Sequence, residues 1–464
     1  MRIRAALTML VLVGFSGYAA AQTPFVPYFG KNNVHYDRFD WHIYVTDHFE
    51  IYYYPELEKH LERIAGYAES AYQQVSSDLK HDLSAKTPLI LFKTHSEFEQ
   101  QNVIPGAAQE GVAAFAEPFR DRMLLPIDDP PDRLYGLIVH ELTHIFEFDI
   151  IPQGLIRRSV PLWVNEGLSD YERAQWDPLD LMMIRDAAVA DIIPKMSELE
   201  GYGDSSNPRL IYNLGHAVFE FIEARFGKEG IRQFLFALRK SVIGGGEDAY
   251  EEALRMKPDE FDQAFERYLK DRFRPFRDKE RPIDYGRNLA PNAEKTHYTQ
   301  ALSIAPSPSG DLIAVVTVNR KDGELDIVLL SSKDGSMVRN LTSGFDKDFG
   351  FNHIVSPTSF NTIPWMSWSP RGDRIAYFVR TEKERTLIVQ NVLTREVEIR
   401  VPMKSVDEPE SPSFSPDGRT VAFSALRGGV GDIFTVDLES QQVENLTTDD
   451  FFDYGSVFSP DGKF

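Results

Sequence analysis

The 464-residue chain carries 71 acidic against 50 basic side chains, a formal net charge of −21, which argues against nucleic acid or an anionic membrane surface as its main partner. It contains no cysteine, so disulfides, thiol catalysis and any cysteine-ligated metal are excluded. Hydrophobic residues at 42% are ample for sizeable cores, and the length suggests two or three domains.

Met1-Arg2-Ile3-Arg4 is a short basic region followed by an apolar run over residues 5–15, and Ala19-Ala20-Ala21 offers a small-residue cleavage site before Gln22. Residues 1–21 are therefore expected to be a secretory signal peptide. The alternative, an uncleaved membrane anchor, requires a span from a run that is short for one. No later stretch is long and apolar enough to cross a bilayer, so the mature chain is expected to be soluble in the periplasm or outside the cell.

Residues 41–54 read as one or two strands rich in aromatic and β-branched side chains, ending at Pro55. Residues 56–79 have helical periodicity, 88–92 form a short apolar strand, and 111–116 and 123–127 look like two further strands. Helix spacing returns over residues 134–148, with Leu134, Leu137, Ile138, Leu142, Ile145 and Phe146 as candidates for burial. Within it lies His140-Glu141-Leu142-Thr143-His144. Four residues turn a helix through roughly 400°, so the two histidines share one face. Two imidazoles in that register can bind one zinc. Glu141 then lies beside the metal, where it can take a proton from metal-bound water.

Pro161 suits the first turn of a second helix, which carries Asn165-Glu166-Gly167-Leu168-Ser169-Asp170. Glu166 follows His144 after 21 intervening residues, enough to end one helix, turn, and run an antiparallel one. It is the candidate third ligand, leaving a fourth position for water or substrate. Asp170 lies one turn later on the same face, placed to hydrogen-bond the outer nitrogen of a ligand histidine.

These paired helix motifs resemble those of the gluzincin metallopeptidases, the thermolysin-like and aminopeptidase-like clan, over roughly residues 41–275. The resemblance implies an α+β metallopeptidase domain with His140, His144 and Glu166 as Zn2+ ligands, Glu141 as general base and Asp170 in support. It also implies that an edge strand pairs with the extended peptide substrate. Residues 111–116 are the candidate, with an ordinary buried strand as the alternative. Glu117 is a candidate for binding a substrate amine, as an acidic residue does in the aminopeptidases, although their full motif is absent. In that clan a helix downstream of the glutamate ligand supplies a donor for the developing oxyanion. Residues 210–219 are helical and lead through Phe226-Gly227 into a second helix over 229–241. Tyr212 is the first choice for the donor and His216, one turn on, the second; both can equally be core residues.

Residues 258–273 form a last helix, with Phe261, Phe265, Tyr268 and Leu269 on one stripe. A polar, proline-punctuated linker over residues 276–300 closes the 22–275 domain. Then a repeat begins. Ser307-Pro308-Ser309-Gly310, Ser369-Pro370-Arg371-Gly372, Ser415-Pro416-Asp417-Gly418 and Ser459-Pro460-Asp461-Gly462 are offset by 62, 46 and 44 residues. Proline second and glycine last is what a tight turn requires, and each of the first three turns precedes an apolar strand. Two repeats close on Asn-Leu-Thr, at residues 340–342 and 445–447. The longer first offset marks an insertion over about 343–363. Residues 301–464 thus resemble TolB-like, WD40-like β-propeller blades, three near-complete and a fourth opening; closed propellers need more.

The whole reads as a multidomain chain, an α+β gluzincin-type domain joined to an all-β propeller that is incomplete. The expected function is that of an exported zinc peptidase acting on a peptide or protein substrate, with the propeller as a binding or gating module for a protein partner. The alternative is a non-catalytic envelope scaffold working through its propeller.

Overall fold

The computed structural model describes residues 38–464 apart from 99, 102, 104–112, 153–159, 200–207, 244–247, 281, 290–296, 322–323, 344–352, 355–363, 381–384, 428–429 and 450. The expected signal peptide and most of the expected insertion lie outside the described residues.

The N-terminal part is a five-stranded mixed sheet backed by helices. β1 (His42–Val45) and β2 (Phe49–Tyr53) form an antiparallel pair. After a 3-10 turn over Pro55–His60, α1 (Leu61–Leu79) crosses to β3 (Thr87–Phe92), which runs parallel to β2. The predicted helix over 56–79 therefore begins with a tighter turn, where Pro55 supplies a fixed φ and no N–H. β4 (Phe115–Glu117) and β5 (Arg122–Pro126) form a hairpin, and β5 runs parallel to β3. The order is β1-β2-β3-β5-β4, so β4 is an edge strand. Of the predicted strand over 111–116, residues 111–112 lie outside the described residues and the pairing begins at Phe115.

The helices that follow include α2 (Pro131–Ile150), α3 (Leu162–Glu172), α4 (Pro178–Val189), α5 (Pro208–Ile243) and α6 (Pro258–Arg277). α5 is broken at Gly227, whose φ of 70° is left-handed, as the Phe226-Gly227 break predicts. Leu134, Ile138, Leu142, Ile145 and Phe146 of α2 are buried in one core with Ile51, Leu89 and Leu125 of the sheet and Trp163 and Leu168 of α3. Phe261, Phe265 and Leu269 of α6 join it, and Tyr268 packs at its margin.

Three antiparallel blades form the C-terminal part, two of four strands and the middle one of five. The first is β6 (Tyr298–Pro306), β7 (Leu312–Asn319), β8 (Glu324–Ser331) and β9 (Met337–Asn340). In the second, β10 (His353–Ile354) and β11 (Met366–Trp368) pair the same side of β12 (Arg374–Arg380), followed by β13 (Arg385–Asn391) and β14 (Val397–Pro402). The third is β15 (Asp407–Phe414), β16 (Thr420–Arg427), β17 (Val430–Asp437) and β18 (Val443–Asn445). The described residues close no ring.

The repeated turn has one geometry. Gly310, Gly372, Gly418 and Gly462 have φ of 76°, 72°, 72° and 70°, and each donates its N–H to the serine three residues earlier at 2.9 Å. Only glycine adopts that conformation without steric cost. The Asn-Leu-Thr segments lock the blades: Asn340 and Thr342 both donate to Asp326, at 2.9 Å each, and Asn445 and Thr447 do the same to Asp432, at 2.8 and 3.3 Å. Serines on the first strands stitch neighbouring blades, with Ser367 Oγ accepting from Phe414 N at 3.1 Å and Ser413 Oγ from Phe458 N at 3.4 Å. β15 reaches the N-terminal part, with Asp407 3.9 Å from Lys93 at the end of β3. Glu408 and Glu410 line a cavity of about 310 Å3 with Asp129 and Arg133 at the start of α2.

Candidate metal centre

α2 and α3 face each other beside the edge strand β4. The helical spacing of four places both imidazoles on the α2 face turned to α3, and their Nε2 atoms are 3.2 Å apart. Glu166 Oε2 completes a triangle, 3.4 Å from His140 Nε2 and 3.6 Å from His144 Nε2. Three donors held about 2.0–2.2 Å from one tetrahedral ion stand ~3.3–3.5 Å from one another. The triangle therefore matches one face of such a coordination shell. It is the sole grouping of three or more potential ligands among the described residues.

The outer nitrogens fix the ring tautomers. His140 Nδ1 is 3.1 Å from Asp170 Oδ1, so it carries the proton and leaves Nε2 free to bind metal. His144 Nδ1 lies 3.2 Å from Ser169 Oγ, which itself donates to Asn165 O at 3.2 Å; that hydroxyl accepts from the ring. Asn165 Nδ2 also approaches His144 Nδ1, at 3.1 Å, and donates to the buried Glu147 at 2.6 Å. Ser169 and Asn165 were not singled out in the sequence. Their signal was present, since both lie within one turn of Glu166.

The electrostatics suit a cation. Burial alone would lower the pKa of His140, but hydrogen bonds to Asp170 and Glu166 outweigh it and hold it up at about 10. The same contest raises His144, with Glu166 the main opposing partner. Glu166 and Asp170 are both pulled well below the usual carboxylate range: burial opposes this, but the histidines prevail. Glu141 is buried beside the triangle, and burial raises its carboxyl above the ordinary value although both histidines oppose the shift. It accepts a hydrogen bond from the backbone N–H of Ala116 on β4, which ties the edge strand to the base.

The remaining candidates are placed less directly. Tyr212 is half-buried on α5, its ring under the guanidinium of Arg209 at 5.6 Å. His216 stacks on Trp176 with ring centroids 3.7 Å apart. Burial pushes its pKa down to about 4, with Glu220 in opposition, so it is a neutral ring at pH 7. Neither belongs to the ligand triangle. The Glu117 carboxylate is taken up within its own hairpin, by Arg122 Nε at 2.8 Å and Phe119 N at 2.7 Å.

Residues 345–464 match the family model described as the TolB beta propeller domain. The C-terminal region is TolB-like. Three similar solved structures are a TolB of Agrobacterium tumefaciens (25% identity, 36% of this chain and 52% of that one, TM-score 0.29), TolB of Acinetobacter baumannii (22%, 34% and 33%, 0.23) and the hydrazine synthase of Kuenenia stuttgartiensis (17%, 36% and 41%, 0.26). The chain thus spans about half or less of the length of these structures. No curated protein matches it.

Proposed function

We propose that the chain is a zinc-dependent peptidase whose TolB-like region serves as a binding module. The observation that carries this reading is the convergence of His140 Nε2, His144 Nε2 and Glu166 Oε2 within 3.2–3.6 Å of one another, with the carboxylate of Glu141 beside them. A zinc ion held there supplies Lewis acidity, polarising the scissile carbonyl and making water a better nucleophile at neutral pH. Glu141 takes the proton of the attacking water and delivers it to the leaving amine, a task suited to a carboxyl whose pKa is raised by burial. Asp170 and Ser169 hold the two imidazoles in the required tautomers. β4 lies at the edge of its sheet, where an extended peptide can add as a further strand, and Tyr212 is the first candidate to donate to the oxyanion. Glu141 argues for catalysis over a purely structural metal site, which needs no base.

The scaffold reading draws on the TolB match, which lies wholly in the propeller and supports a protein-binding role for those blades. Export to the periplasm or exterior is proposed from the basic and apolar pattern of residues 1–21. Incubating the zinc-loaded protein with a peptide library separates the two readings. Cleavage that Glu141→Gln abolishes supports the peptidase, whereas zinc-loaded protein that cleaves nothing leaves the scaffold.

A further inference from the structure

Asp170 is 4% exposed, and a carboxylate so buried must be matched by donors. Its Oδ1 is shared by His140 Nδ1 at 3.1 Å and Arg173 Nη1 at 3.2 Å, while Oδ2 faces Arg209 Nη1 at 3.5 Å. The two arginines are not equivalent. Arg173 caps the C-terminus of the same helix, and its buried Nε has no hydrogen-bond partner among the described residues. Arg209 is on the first turn of α5 and is held from behind by α4. Its Nε donates to Asp180 Oδ1 at 3.0 Å, its Nη2 to Asp180 Oδ2, and Asn213 Nδ2 secures the same carboxylate at 3.0 Å. A planar guanidinium bound by two prongs is a rigid anchor in a way that an ammonium is not.

We propose that Arg209 is a positioning residue for the metal centre: braced by Asp180, it fixes the Asp170 carboxylate behind His140 and so sets how tightly the His140–His144–Glu166 triangle holds its ion. This rests on the metal-site reading. The chain of contacts runs from α4 through Arg209 and Asp170 to α2, so helices outside the ligand pair control a ligand's orientation. Without Arg209, Oδ2 loses this charged partner and the carboxylate can turn toward Arg173. Its bond to His140 Nδ1, which needs alignment, then weakens. Loss of partners around a ligand commonly lowers metal affinity by ~10–100-fold.

The test is the zinc dissociation constant of the full chain, from competition with a chromophoric chelator, together with the visible spectrum of the Co2+-loaded protein. Arg209→Gln is expected to weaken zinc binding by ~10-fold and to alter the cobalt spectrum. Asp180→Asn, which keeps the guanidinium but removes its brace, is expected to shift both in the same direction by less; it also serves if Arg209→Gln does not fold. Unchanged zinc affinity and spectrum in a folded Arg209→Gln protein overturn the proposal. So does tighter binding, which would mean that Arg209 acts by drawing charge from Asp170 rather than by holding it. A native chain that binds no zinc is a separate result, and it overturns the metal-site reading itself.

Discussion

Gly167 on α3 and Gly215 on α5 meet backbone to backbone. A Cβ on Gly215 would stand 2.9 Å from Gly167 Cα and overlap the carbonyl of Trp163, and one on Gly167 would lie 2.5 Å from Gly215 Cα. Gly167 adjoins Glu166, so this contact sets the depth at which the carboxylate ligand's helix is seated. Gly215→Ala is expected to push α3 outward, costing ~1–3 kcal/mol through overpacking and weakening zinc binding together with thermal stability. Calorimetry and metal titration on the one variant check both.

Glu141→Gln should bind zinc as the unaltered protein does, because Glu141 is not part of the triangle. It should also abolish peptide hydrolysis, since an amide cannot accept the proton. Equal turnover in the two proteins would remove Glu141 from the mechanism.

Tyr212→Phe should lower turnover by ~10²–10³ with zinc retained if its hydroxyl reaches the oxyanion. His216→Gln is expected to act on stability instead. Burial holds His216 down at about 4, below its value in the unfolded chain. Between about pH 4 and 6.5 the unfolded state thus binds the extra proton, and stability is lost as pH falls through that window. The variant should flatten this slope in a plot of melting temperature against pH.

Glu172, at the end of α3, gives the opposite sign. Its Oε2 is buried with no hydrogen-bond partner among the described residues. Burial, then Asp78, push its carboxyl up to about 8, with Lys228 and Arg232 in partial opposition. From about pH 4.5 to 8 the native state keeps a proton that the unfolded state has lost, so stability falls as pH rises. Glu172→Gln should stabilise the protein at pH 8 by ~1–3 kcal/mol and leave it unchanged near pH 4. Equal gains at both pH values would contradict this.

The parts of the structure that follow a short period were legible in the sequence. Spacing of four aligned His140 with His144, one further turn separated Glu166 from Asp170, and the Ser-Pro-x-Gly turns marked the blades because each demands a glycine with positive φ. α4 was not anticipated. Leu179, Leu181, Met182, Met183 and Ile184 give it apolar residues on several faces, yet of these only Ile184 is buried, so no stripe appears. Arg209 was invisible for another reason: its partners Asp170 and Asp180 are brought to it by the tertiary packing of α3, α4 and α5. The same holds for His216, whose helix position suggested a site role while its stacking partner Trp176 comes from the loop before α4.

His140, His144 and Glu166 are expected to hold one zinc ion together. Metal analysis of the purified full chain beside His144→Ala tests it most directly. The native chain should carry about one zinc, and the variant, which lacks one of three protein ligands, should lose most of it. Full zinc occupancy in His144→Ala, or none in the native protein, would contradict it.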